Sequence, residues 1–182
     1  MDPHLASAPL AYLITFHTYG TWLPGDPRGS VDAHHRLRGT PHVGRAAGRQ
    51  AASTKLLDHP PVELGPEERT IVLGTIREVC HHRGWALQAA HVRINHVHAV
   101  IQAARADHTP ERVMNDLKAW ATRRIVEAGL RPPGTRLWVR HGSTRHLWRP
   151  EAVEAAREYV VAGQGEDRQW ATGGSGDRGS AC

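Results

Sequence analysis

The sequence has little cysteine, no long apolar run and no internal repeat, and each shortage narrows what the chain can be. Among 182 residues only Cys80 and Cys182 carry thiols. Cys80 sits in a helical pattern and Cys182 is the last residue, so neither a disulfide framework nor a zinc knuckle is expected. No apolar stretch approaches the ~18 residues of a membrane span, and the first residues lack the basic-then-apolar order of a signal peptide. A soluble, cytoplasmic protein with no membrane partner is expected. The length favours one domain.

Charge is present in modest excess. Lys plus Arg number 23 against 18 Asp plus Glu, a formal net charge of +5, and the sequence pI is about 9.9. That balance suits a polyanionic partner, because each cation placed on a phosphate releases a condensed counterion. Many ordinary soluble proteins are equally basic, so charge alone does not decide. The 40% apolar content is enough for one modest core.

Residues 11–18 are rich in β-branched and aromatic side chains and predict a first strand. Residues 20–64 hold Gly, Pro, His and Arg with no sustained period, which predicts a long loop that is functional or flexible. Its cations, Arg28, Arg36, Arg38, Arg45, Arg49 and Lys55, suit a basic arm on DNA as well as a solvated loop. Pro66 opens a helix over 66–83, where Val72, Ile76, Val79 and Cys80 recur at helical spacing. Gly84 ends it. Strands follow at 85–93 and 96–103, joined by a tight turn at Ile94 and Asn95. A second helix runs over about 110–128, with Met114, Leu117, Ala121, Ile125 and Ala128 on one face and Gly129 as the stop. A short strand is expected at 136–140, and Pro150 starts a third helix that carries Tyr159. Residues 1–163 are expected to form the single domain, and 164–182, rich in Gly, Ser and charge, a flexible tail. The order predicts an α+β fold, a ferredoxin-like antiparallel sheet with helices on one face and the other face open, plus the C-terminal helix with its tyrosine.

Two features carry chemistry. In a strand, side chains alternate, so His96 and His98 share one face while Val97, Ala99 and Ile101 share the other. Two adjacent imidazoles are a ready pair of metal ligands, although 14 histidines make chance pairs common and surface or hydrogen-bonded roles stay open. The second feature is Tyr159. Its same-side helical neighbours, Ala152 and Ala155, are small and leave room for a ligand, while a structural role for a lone helix tyrosine stays open.

In this order the two features resemble the His-hydrophobic-His (HUH) single-tyrosine transposases, and more closely the REP-associated tyrosine transposases of bacteria. The resemblance covers nearly the whole chain. It begins with residues 12–26, Tyr-Leu-Ile-Thr-Phe-His-Thr-Tyr-Gly-Thr-Trp-Leu-Pro-Gly-Asp, and continues through Asn-His-Val-His at 95–98. It includes Leu-Lys-Ala-Trp-Ala-Thr-Arg-Arg at 117–124, Trp-Val-Arg-His-Gly-Ser-Thr-Arg at 138–145 and Glu-Tyr-Val-Val-Ala-Gly-Gln-Gly at 158–165.

The resemblance implies the HUH endonuclease fold and a nicking and rejoining activity on single-stranded DNA hairpins. His96 and His98 would bind a divalent cation, Mg²⁺ or Mn²⁺, as a Lewis acid on the scissile phosphate. Tyr159 would attack phosphorus and leave a 5′-phosphotyrosine link. Its phenol, with a reference pKa near ~10, needs help to act at neutral pH. Gln164 is the implied third ligand, although it lies five residues after Tyr159, where a four-residue step would align better on a helix. Lys118, Arg123, Arg124, Arg140 and Arg145 are candidate phosphate contacts, and Trp138 or Trp148 could stack bases. Relatives act as monomers or as homodimers that exchange the tyrosine helix.

Three other readings compete. Histidine-triad hydrolases need a third histidine where this chain has Val100, and two-histidine phosphoesterases need a repeated His-x-Thr or His-x-Ser that is not evident. A domesticated, catalytically inactive hairpin-binding protein would keep the fold, but retention of His96, His98 and Tyr159 together argues against it.

Overall fold

The computed structural model describes residues 8–21, 55, 57–103, 108–162 and 169–171. Its elements in chain order are β1 (Ala11–His17), α1 (Pro66–Arg83), β2 (Ala86–Val92), β3 (His96–Gln102), α2 (Pro110–Glu127), β4 (Ser143–Leu147), α3 (Pro150–Ala162) and β5 (Gln169–Ala171). The strands form one sheet in the order β4-β1-β3-β2-β5, with every pairing antiparallel. The first four strands therefore have the ferredoxin-like order expected of a split β-α-β arrangement.

Local chemistry accounts for the helix ends. Pro66 occupies the first turn of α1, where its missing N–H costs nothing. The Gly65 N–H donates to Glu68 Oε2 at 2.7 Å, which satisfies one orphan donor. Gly84 closes the helix in the left-handed region at φ 67°, and Trp85 N donates to Cys80 O at 2.8 Å. In α2 the Thr109 hydroxyl accepts from Arg112 N at 3.3 Å.

Alternation along the strands sorts the side chains into two layers. Ile14 and Phe16 of β1, Ala90 and Val92 of β2, and Val97, Ala99 and Ile101 of β3 pack under α1 and α2, with Val72, Ile76, Val113, Leu117 and Ile125 as helix partners. The opposite face is not open, as the sequence suggested. There α3 lays Ala156 and Val160 over Ala11, Ala89, Val100 and Leu147 in a second, smaller apolar cluster. Helices thus lie on both faces, and α3 roofs the face that carries the histidines.

Three further expectations change. The short strand is at 143–147, not 136–140; within 136–140 only Trp138 bridges, to Thr18. The Lys118 ammonium explains this. It donates to the carbonyls of Val139, Arg140 and His141 at 3.0, 3.4 and 3.2 Å, which takes those groups out of a ladder. Ala128 is an exposed cap residue and not part of the core face. Within the segment expected as a tail, β5 pairs with β2 from Ala89↔Ala171 to His91↔Gln169. The end of the long loop is fastened as well. Val62 N donates to Tyr19 O at 2.8 Å and Leu64 N to Ile94 O at 2.7 Å. Its arginines, from Arg28 to Arg49, lie outside the described residues. Cys80 is buried and free, and burial pushes its thiol up to about 12, so it is inert at neutral pH. Among the described residues no helix is long and apolar enough to cross a membrane.

Candidate active site

The site is built on β3, which runs through the sheet between β1 and β2. A two-residue turn at Ile94 and Asn95 starts the strand, closed by Arg93 N donating to His96 O at 2.8 Å. Thr18 pins that turn: its N–H donates to Asn95 O at 2.9 Å and its hydroxyl to the same oxygen at 3.2 Å. The period of two then sends His96 and His98 to the same face, with ring centroids 4.8 Å apart. Both are buried, at 9% and 6% exposure.

Each ring is held by its Nδ1. Asn95 Oδ1 lies 2.7 Å from His96 Nδ1; a carboxamide oxygen only accepts, so Nδ1 carries the proton and Nε2 presents a lone pair. Thr15 Oγ1 lies 2.7 Å from His98 Nδ1. In the tautomer that donates from Nδ1 to Thr15, His98 Nε2 is likewise a ligand. Orientation of imidazoles through the distal nitrogen is what metal sites use to fix ring and tautomer. Burial lowers the His98 pKa most, and the neighbouring His96, His17, His91 and Arg93 charges add to it, taking it to about 3. The ring is therefore neutral at physiological pH, the form a cation needs.

Tyr159 comes from α3. Its ring meets the His98 ring edge-on, with centroids 5.4 Å apart and planes at 73°, and it remains 48% exposed. Burial of Ala156 and Val160 against the sheet fixes the rotation of the helix, which turns Tyr159 toward the histidines at the rim. The candidate nucleophile and the candidate ligand pair thus meet within one chain.

The sequence overlooked four residues here. Thr15 pairs with His98 across β1 and β3, and His17 pairs with His96. His91 pairs with His98 from the β2 side and is fully buried. The His17 and His96 rings are 5.6 Å apart. Alternation within each strand was readable, but which strands would lie side by side was not. Asn95, read as a turn residue and as the start of the Asn-His-Val-His run, also orients His96.

As to cation fit, the chain supplies two well-oriented nitrogen donors. Among the described residues no group of three or more His, Cys, Asp or Glu is arranged to hold a metal. Gln164, the third ligand suggested by resemblance, lies outside the described residues.

The five candidate phosphate contacts separate. Arg145 is exposed on β4 and stands opposite Leu13, on the histidine-bearing face, and Arg140 is exposed just before β4. Lys118 is a correction: it is 7% exposed and its ammonium is spent on the three carbonyls, with burial lowering its pKa to about 8. Arg124 is committed to Glu78 and to Glu127, the latter at 3.1 Å. Arg123 lies over the Trp120 ring at 4.8 Å. Both arginines are on α2, across the sheet from the histidines. The tryptophans also separate. Trp138 is core, donating from Nε1 to Lys118 O and Thr122 Oγ1, whereas Trp148 is 55% exposed.

Residues 65–151 match the family described as "Transposase IS200 like". No curated protein matches the chain. Among solved structures the chain is similar to a REP-associated tyrosine transposase bound to a REP hairpin, at 11% identity over 88% of this chain and 69% of that one, with a TM-score of 0.49. It is also similar to a candidate transposase from Deinococcus radiodurans R1, at 16% identity over 88% of this chain and 95% of that one, with a TM-score of 0.47.

Proposed function

We propose that this protein, whose residues 65–151 match the IS200-like transposase family, nicks and rejoins single-stranded DNA through Tyr159 at hairpins formed by palindromic elements. The observation that carries the reading is the contact between the Tyr159 and His98 rings on the face where His96 and His98 stand together.

In the proposed step the phenol oxygen of Tyr159 bonds to phosphorus as its proton is lost. The O3′ oxygen leaves and takes up a proton. The products are a 5′-phosphotyrosine and a free 3′-hydroxyl. One phosphodiester replaces another, so attack by a 3′-hydroxyl reverses the step and frees the tyrosine without ATP. His96 and His98 would hold Mg²⁺ or Mn²⁺ through Nε2, with Gln164 as the proposed third ligand. A cation bound there supplies Lewis-acid polarisation of the phosphate.

The chain's own contribution is positioning. Asn95 and Thr15 hold the two imidazoles in register, and burial keeps His98 uncharged. The α3 helix presents Tyr159 beside them. Arg140 and Arg145 are the proposed phosphate grips on the exposed edge. Because both halves of the site lie in one chain, the reading includes action in cis by a monomer.

The test is cleavage of labelled single-stranded hairpins with Mg²⁺ or Mn²⁺, with Tyr159→Phe in parallel. The expected result is a denaturation-resistant protein–DNA adduct that needs the cation and disappears in the variant. Hairpin binding with no adduct under any cation would replace this reading with that of a DNA-binding protein without turnover.

A further inference from the structure

On the sheet face away from the histidines, β4 carries an exposed aromatic ledge that the nicking site does not use. His146 lies beside Tyr12 in the β1–β4 register, and their rings meet edge-on at 5.2 Å. The Trp148 ring stacks on His146, with planes 12° apart and centroids 5.8 Å apart. Leu10, whose N–H donates to Leu147 O, borders the same edge and is 40% exposed. Trp148 is the most exposed large apolar side chain among the described residues. The stacked rings and Leu10 together make a contiguous exposed patch, the kind of surface that marks a contact site.

Charge decides which contact. From residue 128 to residue 150 the chain has five arginines and no carboxylate; Arg131 and Arg136 pair with Glu68 and Asp58, and Arg140, Arg145 and Arg149 are exposed. Arg145 and Arg149 flank the stacked pair and are exposed. Two carboxylates border the run: Glu111 accepts from the Thr144 hydroxyl at 2.8 Å, and Glu151 stands in the first turn of α3. A neutral apolar protein surface gains nothing from such an arginine run, whereas a polyanion with flat rings uses both parts: phosphates on guanidiniums, bases on the indole. A duplex keeps its bases stacked on one another, so the rings must come from unpaired nucleotides.

We propose that His146 and Trp148 form a base-stacking shelf for unpaired nucleotides of the DNA strand, with Arg145 and Arg149 on the flanking phosphates. Arg145 faces the histidine side of β4 and His146 the other, so a strand leaving the site past Arg145 reaches the shelf by crossing β4, the end strand of the sheet among the described residues. The inference rests on the nicking reading for the direction of the strand, but the shelf itself is read separately by binding.

The test is fluorescence anisotropy with labelled oligo(dT) and an abasic chain of equal length, using the full chain, Trp148→Ala and Trp148→Phe. The expected result is that the unaltered protein prefers oligo(dT) by about tenfold, that Trp148→Ala removes this preference, and that Trp148→Phe keeps most of it. Abasic binding and the melting temperature stay unchanged in both variants. Equal oligo(dT) affinity for the unaltered protein and Trp148→Ala overturns the shelf. So does a DNA-independent dimer that Trp148→Ala dissolves while oligo(dT) binding persists. The Tyr159 adduct, scored in the same samples with a hairpin, separates the two ideas. An adduct without the Trp148 effect removes the shelf alone, and the Trp148 effect without an adduct removes the nicking reading alone.

Discussion

Thr15 and His98 are 83 residues apart in sequence and 2.7 Å apart in space, Oγ1 to Nδ1. That bond fixes the ring that also touches Tyr159, so one hydroxyl on β1 controls how the proposed ligand face and the proposed nucleophile meet. Thr15→Val keeps the β-branched shape and removes the partner. The expected loss in Mn²⁺ affinity is roughly 10–100-fold, the usual cost of removing an outer-shell partner, with unfolding shifted by only about 1 kcal/mol. Calorimetric titration with Mn²⁺ beside a thermal melt checks both parts.

The Tyr159–His98 contact within one chain predicts that the site works in cis. Mixing Tyr159→Phe with His98→Ala should therefore yield no more adduct than either variant alone. Recovery of a substantial share of the unmixed activity would mean that α3 of one copy serves the histidines of another.

Glu68 predicts an acid-sensitive fold. Burial pushes its pKa up, but the Arg131 guanidinium and the Gly65 N–H outweigh that and hold it below the ordinary carboxylate value. Arg131 Nε donates to Oε1 at 2.6 Å. A lowered folded pKa means the stabilisation is complete above the ordinary glutamate range and is lost as pH falls through the folded value. Glu68→Gln should lose about 1–2 kcal/mol at neutral pH and show a flatter decline in stability with acid. Denaturant melts from pH 7 downward measure both slopes.

Gly142 has no room for a side chain. A Cβ there would stand 2.5 Å from Thr15 O and against Met114 Sδ, so Gly142→Ala must push β4 away from β1. The expected cost is about 1–3 kcal/mol, and because Thr15 orients His98, metal affinity should fall with it. A melt unchanged from the unaltered protein would contradict the packing described.

The periodic parts of the fold were legible because their local signals agree. Pro66, the apolar spacing and Gly84 gave α1 its observed limits, and alternation put His96 and His98 on one face. What the sequence hid was long-range. Leu137 and Trp138 look like strand residues and are buried, yet Lys118 takes the carbonyls that follow and delays β4 to Ser143. Lys118 itself looked like a surface cation because nothing local announces a cradle of three carbonyls twenty-odd residues ahead. Thr15, His17 and His91 joined the site only through strand pairing. The roof formed by α3 follows from Ala156 and Val160 packing on the second face, a contact that helical spacing permits but does not specify.

The most direct measurement is mass spectrometry of the covalent product after protease and nuclease digestion of a hairpin reaction. The account predicts one modified peptide, from α3, with a nucleotide joined through its 5′-phosphate to the Tyr159 oxygen. A nucleotide on any other residue, or release of a nicked strand with no protein attached, would contradict it.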